Sequence, residues 1–397
     1  MILSYRIIEK MNNQTAQHDL GQYFTTNPLL KNKVCEFILN SPSIILEPSI
    51  GQGDLISHVL DKTPDIAFDM YEIDTTIPLL ENIPTSVVYG DFMKQHITKQ
   101  YSTIIGNPPY VRTKKGNLYI EFTERCYQLL EPNGELIFIV PSDFLKLTSA
   151  SSLLNDMMEN GNITHIFHPH NENMFENASV DVIVFRYCKD PSLEKKVLYN
   201  DELRHITNSS GLITFHKNQT SNSVLLKEYF DVYVGLVSGK EEIYKNEELG
   251  NIQIINGENK VDHYIHIETY PCENEKINEY LLGHKTSLLE RRIRKFNENN
   301  WFEWGAPRNI QIMKEHANNE CIYIYNLTRN TNVAFVGKVN YFGGALLMLK
   351  PKKKYNLNKV VSYLNSNVFK DNFMFSGRFK IGHRQISNSY IPTDSLT

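Results

Sequence analysis

Residues 103–110 read Thr-Ile-Ile-Gly-Asn-Pro-Pro-Tyr, an apolar run that ends in two prolines. Proline has no amide hydrogen and fixes φ near about −65°, so a β-ladder cannot continue through Pro108 and Pro109. Proline also keeps the residue before it, Asn107, out of the helical conformation. The run therefore predicts a buried strand that stops in a rigid loop. This loop offers the Asn107 amide, the Pro108 carbonyl and the Tyr110 ring.

The segments around this run alternate between strand and helix patterns. Apolar runs predict strands at residues 43–46, 67–72, 86–89, 103–105, 135–140, 163–167 and 180–187. Helical spacing predicts helices at residues 53–60, 76–81, 119–130 and 142–160. Such alternation is typical of a doubly wound α/β fold with a mostly parallel sheet. No helix separates the last two strands, so we expect the last strand to pair antiparallel.

Charge divides the chain into an acidic and a basic part. Residues 1–190 contain 14 Lys and Arg against 23 Asp and Glu, whereas residues 285–397 contain 18 against 7. This asymmetry is typical of an acidic module joined to a module that meets polyanions, although charge alone slightly favours a merely solvated basic surface. The strand–helix pattern also changes near residue 190. We therefore predict a flexible tail over residues 1–17, an α/β domain over 18–190 and an α+β domain over 191–397.

Composition excludes several classes of protein. Hydrophobic residues are 41% and charged residues 22%, which is ordinary for a globular chain. We find no apolar stretch long enough to cross a membrane and no secretion signal. The five cysteines form no CxxC pair, and the histidines show no metal-ligand spacing. We therefore expect a reduced, cytoplasmic protein that has no metal site and does not bind a membrane.

Residues 44–54, Ile-Ile-Leu-Glu-Pro-Ser-Ile-Gly-Gln-Gly-Asp, predict a strand, a glycine turn and a helix entry. The turn lacks the GxGxxG spacing and is not followed by Lys-Ser/Thr, so it fits a phosphate-binding loop poorly. Glu47 at the strand end would repel a phosphate but would attract an ammonium group. The turn therefore predicts a cofactor with a cationic amino-acid head.

Two further acidic residues stand at predicted strand ends. Glu72 lies 19 residues after Gly53, a spacing at which a carboxylate commonly binds ribose hydroxyls. Asp91 and Phe92 follow the third strand, where they could accept from an exocyclic amine and stack on a purine. The carboxyl ends of parallel strands meet at one edge of a sheet, so these residues predict a single site.

Together these motifs resemble the γ-class N6-adenine DNA methyltransferases of restriction–modification systems, the Taq-like type II modification enzymes. The likeness covers nearly the whole chain. It includes residues 20–25, 47–51, 72, 90–92, 107–110, 134–141 and 173–184 in the N-terminal half. Residues 234–239, 301–304, 327–329 and 375–382 resemble the target-recognition region of the family. One departure is Ser49-Ile50, where the family more often has two small residues.

The resemblance implies a mechanism for a flipped-out adenine. The Asn107 side-chain oxygen and the Pro108 carbonyl would accept the two N6 hydrogens and localise the nitrogen lone pair. Tyr110 and Phe175 would stack on the two faces of the base, which must leave the duplex to reach the site. Catalysis would then consist mostly of orientation and electrostatics.

The resemblance also implies a cofactor and partners. The cofactor is S-adenosyl-L-methionine, and the residues expected to bind it are Thr25, Glu47, Pro48, Ser49, Gly51, Glu72, Ile73, Asp91, Phe92 and Pro109. The macromolecular partner is double-stranded DNA, for which the expected contacts are Arg308, Arg329, Arg378, Lys380 and Arg384. A separately encoded restriction endonuclease would act at the same site. We expect the protein to be a monomer.

Three other functions compete with this interpretation. A protein glutamine-N5 methyltransferase could hold its substrate amide with the same Asn-Pro-Pro-Tyr motif. An RNA adenine-N6 methyltransferase is a variant of that alternative, and the third is a DNA-binding protein without catalysis. The basic C-terminal part favours DNA over a protein substrate, and the intact motif argues against a non-catalytic protein.

Overall fold

The computed structural model of the protein describes residues 21–84, 86–114, 116–176, 178–217 and 222–397. The chain forms two compact units, Met1–Gln219 and Thr220–Thr397. The flexible tail predicted over residues 1–17 lies outside the described residues.

The first unit is built on a ten-stranded sheet. In chain order its strands and one separate hairpin are β1 (Ile44–Glu47), β2 (Ala67–Glu72), β3 (Val87–Tyr89), β4 (Tyr101–Gly106), the hairpin β5 (Arg112–Thr113) and β6 (Gly116–Asn117), β7 (Leu130–Pro141), β8 (Asn162–Phe167), β9 (Val182–Cys188), β10 (Lys196–Tyr199), β11 (Glu202–Ser209) and β12 (Leu212–His216).

The strand order is β12-β11-β10-β8-β9-β7-β4-β1-β2-β3. Strands β7, β4, β1, β2 and β3 run parallel, and β9 is antiparallel to both of its neighbours, β7 and β8. This arrangement confirms the predicted mostly parallel sheet with an antiparallel strand. The direction of winding reverses between β4 and β1, so a ligand crevice is expected at their carboxyl ends.

Among the described residues of this unit, the helices are α1 (Pro28–Glu36), α2 (Asp54–Leu60), α3 (Leu118–Gln128) and α4 (Ser151–Asn160). The helix predicted at residues 76–81 is wrong, because that segment is irregular. Asp74 there accepts hydrogen bonds from the backbone and the hydroxyl of Thr76, and Pro78 disfavours the helical conformation at Ile77. The helix predicted to begin at residue 142 begins instead at Ser151, after two 3-10 turns.

Alternate residues of the central strands fill two hydrophobic cores, one on each face of the sheet. On β7, Leu136, Phe138 and Val140 belong to one core, whereas Ile137 and Ile139 belong to the other. Successive side chains of a strand point to opposite faces, so a continuous apolar run is what a sheet covered on both sides requires.

The first unit extends past the predicted boundary at residue 190. Strand β10 pairs with β8, and Val197, Ile206, Ile213 and Phe215 join the core that contains Leu136. The change of pattern near residue 190 therefore marks a loop within the unit. The boundary between the units lies at residues 219 and 220.

The second unit contains both strands and helices. Its strands are β13 (Ser223–Leu225), β14 (Phe230–Val234), β15 (Ile252–Gly257), β16 (Lys260–Tyr264), β17 (Glu320–Tyr325), β18 (Leu327–Thr328), β19 (Ala334–Lys338), β20 (Leu346–Pro351), β21 (Met374–Phe375), β22 (Arg378–Lys380) and β23 (Tyr390–Pro392). Its helices are α5 (Leu226–Tyr229), α6 (Glu241–Tyr244), α7 (Glu275–Gly283), α8 (Lys285–Leu289), α9 (Ile310–Glu315), α10 (Leu357–Asn365), α11 (Asn367–Lys370) and α12 (His383–Ser387).

An antiparallel sheet, β14-β20-β17-β19, forms the centre of the second unit. Smaller sheets, β13-β23, β15-β16 and β18-β22-β21, accompany it. Helix α12 packs against the edge strand β14. Across the ranges that the structure describes, no helix is both long and apolar enough to span a bilayer.

A buried ion pair fastens several elements of the first unit together. The fully buried Glu135 carboxylate accepts from Arg186 Nε at 2.7 Å and from the Thr103 hydroxyl at 2.9 Å. It also accepts from the backbone amides of Leu39 and Asn40, both at 3.1 Å, after the end of α1. One carboxylate thus connects α1 to β4, β7 and β9.

We predict that Glu135→Ala lowers the free energy of unfolding by about 3–5 kcal/mol, because it leaves a buried guanidinium without its counter-charge. Urea denaturation followed by circular dichroism measures the change. Glu194→Ala removes the exposed partner of Lys196 and should leave the midpoint unchanged. Equal effects of the two substitutions would contradict the structural role given to Glu135.

Candidate active site

A cavity of about 360 Å³ opens at the carboxyl ends of β1, β2, β3 and β4. Eight of the ten residues predicted to bind the cofactor lie around it, namely Pro48, Ser49, Gly51, Glu72, Ile73, Asp91, Phe92 and Pro109. The other lining residues are Gly21, Gln22, Tyr23, Phe24, Gly90, Met93, Asn107, Leu118, Glu121 and Phe122. The two remaining predicted residues, Thr25 and Glu47, are buried next to residues that line the cavity.

The Asn107 side chain is held in one orientation. Its Nδ2 donates to the Tyr23 carbonyl at 2.6 Å and to the Thr25 hydroxyl at 3.1 Å. A reversed amide would place two carbonyl oxygens against each other at the first of these contacts. Both amide hydrogens are therefore used on one side, and Oδ1 accepts from the opposite side.

In this structure that acceptor is engaged by the hydroxyl of Tyr110. The phenol oxygen lies 2.7 Å from Asn107 Oδ1 and 3.0 Å from the carbonyl oxygen of Ile139. Burial raises the pKa of Tyr110 well above its ordinary value, so the hydroxyl stays protonated. A phenol donates only one hydrogen, so it can turn to the Ile139 carbonyl when another donor approaches Asn107.

Three aromatic rings stand next to this amide. The ring centroids of Tyr110 and Phe175 are 6.2 Å apart, and their planes meet at 72°. The Tyr23 ring lies 5.2 Å from the first and 5.6 Å from the second. A base stacked on both faces needs parallel walls about 7 Å apart, given contacts of about 3.5 Å on each face. The rings must move for a base to enter, and the stacking roles stay a prediction.

Glu72 holds the glycine turn in place. Its carboxylate accepts from the amides of Gly51 at 2.8 Å and of Ile73 and Asp74 at 2.9 Å each. Gly51 has a φ of +58° and Gly53 of +92°, a region that side chains rarely adopt. The carboxylate thus shapes the turn while it also lines the cavity.

Glu47 has a different environment from that of Glu72. Only 2% of it is exposed, and its carboxylate accepts one amide, that of Ser49 at 3.3 Å. Burial raises the pKa of Glu47 well above its ordinary value, and the charge of Glu72 adds to the shift. No ion pair links Glu47 to a residue in the described part of the chain. The chemistry of this carboxyl fits a ligand that brings its own positive charge.

Asp91 and Phe92, which follow β3, also line the cavity. Asp91 caps a 3-10 turn by accepting from the Met93 amide at 3.0 Å, and it pairs with Lys94 at 2.9 Å. The Phe92 ring packs between Tyr71 and Phe122. These contacts hold both side chains at the cavity, and their roles toward a ligand stay a prediction.

The predicted DNA contacts fall in two places in the second unit. Arg329 follows β18, and Arg378 and Lys380 begin and end β22, so the small β18-β22-β21 sheet brings these three together. Arg308 and Arg384 are adjacent in sequence to Asn309 and His383, whose side chains contact the edge strand β14. The side-chain amide of Asn309 donates to the Val234 carbonyl, and His383 Nε2 lies 3.0 Å from the Val232 carbonyl oxygen.

Several lining residues were not predicted from the sequence. Tyr23 supplies a backbone carbonyl to Asn107 and a ring to the aromatic group. The sequence motif at residues 20–25 predicts a cofactor contact for Thr25 but not for Tyr23. Leu118, Glu121 and Phe122 come from α3, whose pattern indicates a helix but not which side faces a ligand. No local sequence signal marks them.

Part of the chain is similar to known proteins. Residues 61–175 match the model described as Eco57I restriction-modification methylase. The type II methyltransferase M.HincII of Haemophilus influenzae is 28% identical over 214 residues, which are 47% of this chain and 41% of that protein. The modification methylase CviBIII of Paramecium bursaria Chlorella virus NC1A is 33% identical over 155 residues, 34% of this chain and 41% of that protein. The chain therefore spans about two fifths of the length of these curated relatives.

A solved structure supports the fold. The type IIL restriction-modification enzyme MmeI, determined in complex with DNA, aligns with a TM-score of 0.58 and 10% identity. The alignment covers 90% of this chain and 63% of that one. The predicted methyltransferase fold and the likeness to type II restriction–modification methylases are confirmed, whereas the γ class stays a prediction. S-adenosyl-L-methionine is the methyl donor that the matched family indicates.

We predict that Asn107→Asp destabilises the protein increasingly as the pH rises. One carboxylate oxygen would face the Tyr23 carbonyl, which raises the pKa of the new carboxyl in the folded state. Its ionisation then opposes folding, so stability is lost as the pH rises through that pKa. Thermal unfolding between pH 5 and pH 8, compared with wild type, measures the trend.

Asn117→Asp is a matched control, because Asn117 is the N-cap of α3 and a carboxylate is favourable there. Its stability relative to wild type should not fall with rising pH. A pH-independent difference between Asn107→Asp and wild type would contradict the amide orientation described above.

Proposed function

We propose that this chain transfers a methyl group from S-adenosyl-L-methionine to N6 of an adenine in duplex DNA, as the modification enzyme of a restriction–modification system. The observation that carries the proposal is the oriented Asn107 amide at the end of β4, beside the cavity and next to the Pro108 carbonyl. Two acceptors at this point suit a group that donates two hydrogens from one nitrogen.

The adenine amino group is a weak nucleophile because its lone pair is delocalised into the ring. Hydrogen bonds from N6 to Asn107 Oδ1 and to the Pro108 carbonyl would favour a pyramidal nitrogen with a localised lone pair. The incoming amine replaces the Tyr110 phenol on Asn107, and the phenol keeps a partner in the Ile139 carbonyl. The substrate thus gains an acceptor without leaving a buried hydroxyl unpaired.

On the cofactor side, the bound S-adenosyl-L-methionine supplies an electrophilic methyl group on a sulfonium. Glu47 and the glycine turn would hold its cationic amino-acid end. Glu72 has three amide donors and one remaining acceptor direction for a ribose hydroxyl. Asp91 and Phe92 would bind the adenine end, and the cavity volume lies in the usual range for such ligands.

The basic residues of the second unit would contact the DNA. Arg378 and Lys380 lie on the small β18-β22-β21 sheet and Arg329 directly follows its strand β18, so all three could neutralise phosphates or read base edges in a groove. Arg308 and Arg384 would extend the contact. Under this proposal the protein acts as a cytoplasmic monomer, with a separately encoded restriction endonuclease as its companion.

Methyl transfer from radiolabelled S-adenosyl-L-methionine tests the substrate class. We expect duplex DNA to accept label on N6 of adenine, whereas RNA and protein should not. Asn107→Ala should lose at least about a hundredfold in rate, the usual scale for removing one preorganised contact to the reacting group, and should keep its cofactor affinity. Label in protein glutamine or in RNA would favour the alternative functions.

Asn40→Ala is the control for Asn107→Ala. The Asn40 side chain donates only to backbone carbonyls, which lie far from the cavity. Its methyl-transfer rate should follow its stability. Label in DNA at the wild-type rate from Asn107→Ala would refute the assignment of Asn107 as the amine acceptor.

The raised pKa of Glu47 predicts that cofactor binding releases a proton. A nearby cation favours the ionised carboxylate, so binding lowers that pKa and becomes tighter as the pH rises. Calorimetric titrations with S-adenosyl-L-methionine in buffers of different ionisation enthalpy measure the released protons. Glu47→Gln should abolish the release and weaken binding. Equal proton release by this variant and wild type would contradict the role of Glu47.

A further inference from the structure

We propose that His168 and Asp181 are positioning residues, which fix the two ends of the loop that carries Phe175 and thereby set where its ring stands when a base enters. The inference rests on the proposed function, because it concerns the site that would receive the base. The pair His168 and Asp181 is named the loop clasp.

The clasp joins the end of β8 to the start of β9. His168 Nε2 lies 2.9 Å from Asp181 Oδ1, and the side chains are only 4% and 5% exposed. Ser142, just after β7, donates its amide to the Asp181 carbonyl at 2.9 Å and its hydroxyl to Asp181 Oδ2 at 2.6 Å. Both ends of the loop are thus bound to each other and to the end of a central strand.

Histidine is the residue type that this position needs. Its Nδ1 lies 2.7 Å from the hydroxyl of Tyr199, on the side opposite Asp181. The Asn200 side chain accepts from the His168 amide at 2.7 Å and donates to the His168 carbonyl at 2.9 Å. Two ring nitrogens on opposite edges bridge two partners, which phenylalanine cannot do.

The described part of the loop, residues 169–176 and 178–180, is braced by internal hydrogen bonds. The Val180 amide donates to the Glu172 carbonyl at 2.9 Å, and the Ser179 hydroxyl donates to the Glu172 carboxylate at 2.8 Å. His170 adopts a φ of +53°, and its ring centroid lies 3.7 Å from that of His168. A non-glycine residue in this conformation is held there by its surroundings. In this proposal the clasp sets the position of this braced part of the loop.

The distance and angle between the aromatic rings explain why the position of the loop is important. Phe175 is 5% exposed and stands 6.2 Å from Tyr110 at 72°, too close and too tilted for a base between them. A base would need a wider gap, and in this proposal the clasp sets where the Phe175 ring then stands. Misplacement of a contact group by about 1 Å can cost about a hundredfold in rate.

His168→Phe tests the clasp, because it keeps a ring of similar size and removes both hydrogen bonds of the imidazole. His216→Phe is the matched control. His216 is also buried, also binds hydroxyl groups through its ring, and lies on β12, three strands from β8 in the same sheet. We measure amide hydrogen exchange by mass spectrometry, S-adenosyl-L-methionine affinity, and single-turnover methyl transfer to duplex DNA.

We expect faster exchange in peptides that cover residues 169–181 for His168→Phe, with other peptides and the cofactor affinity unchanged. Its single-turnover rate at saturating DNA should fall by at least about tenfold. His216→Phe should show neither change. Asp181→Asn, which keeps the shape and an acceptor for His168, should give smaller changes in the same direction and stands in if His168→Phe does not fold.

Wild-type loop exchange together with a wild-type rate in His168→Phe would overturn the proposal, as would a rate loss no larger than that of His216→Phe. If the wild-type protein itself methylates no DNA, the proposed function fails. The exchange measurement then still decides whether the clasp fixes the loop, so the two failures are distinguishable.

Discussion

The site depends on how the two hydrogens of one carboxamide are used. The Tyr23 carbonyl and the Thr25 hydroxyl take both hydrogens of Asn107, so its oxygen has a single direction in which to accept. The prolines that follow hold the backbone at the end of β4, and the segment before α1 crosses that end to supply the two acceptors. Because neither partner of the amide is charged, the orientation of the amide rests on geometry and is insensitive to salt. The reactivity of the proposed substrate amine would be set by this fixed oxygen.

Glu47 and Glu72 end the adjacent strands β1 and β2, and their different surroundings give them different roles. Glu72 accepts hydrogen bonds from three backbone amides and stabilises the glycine turn. Glu47 is also buried but accepts a single long hydrogen bond, so its charge is costly until a cation arrives. The first carboxylate shapes the cavity and the second favours a positively charged ligand. A sulfonium cofactor with an ammonium group satisfies the second requirement without any further residue.

The sequence was sufficient to predict the features that depend on residues close together along the chain. The two prolines place the end of β4, and alternating burial places the central strands. The helix predicted at residues 76–81 failed because the Asp74 side chain binds the Thr76 backbone and Pro78 blocks a helix. The boundary predicted at residue 190 failed because β10 to β12 share a core with β7, a contact between segments distant in sequence. The role of Tyr23 could not be predicted because its main contact is made by its backbone carbonyl, which every residue possesses. The loop clasp contacts Tyr199 through His168 and Ser142 through Asp181, and no spacing within the sequence indicates these contacts.

Long-read sequencing of DNA from cells that express this chain tests the central claim most directly, because it reports the modified atom and the surrounding bases together. We expect N6-methyladenine at one recurring sequence in cells with the wild-type chain, and none at that sequence in cells with Asn107→Ala at equal expression. Methylated adenines at the same sequence and frequency in both would contradict the claim, as would a genome in which the wild-type chain leaves adenine unmodified.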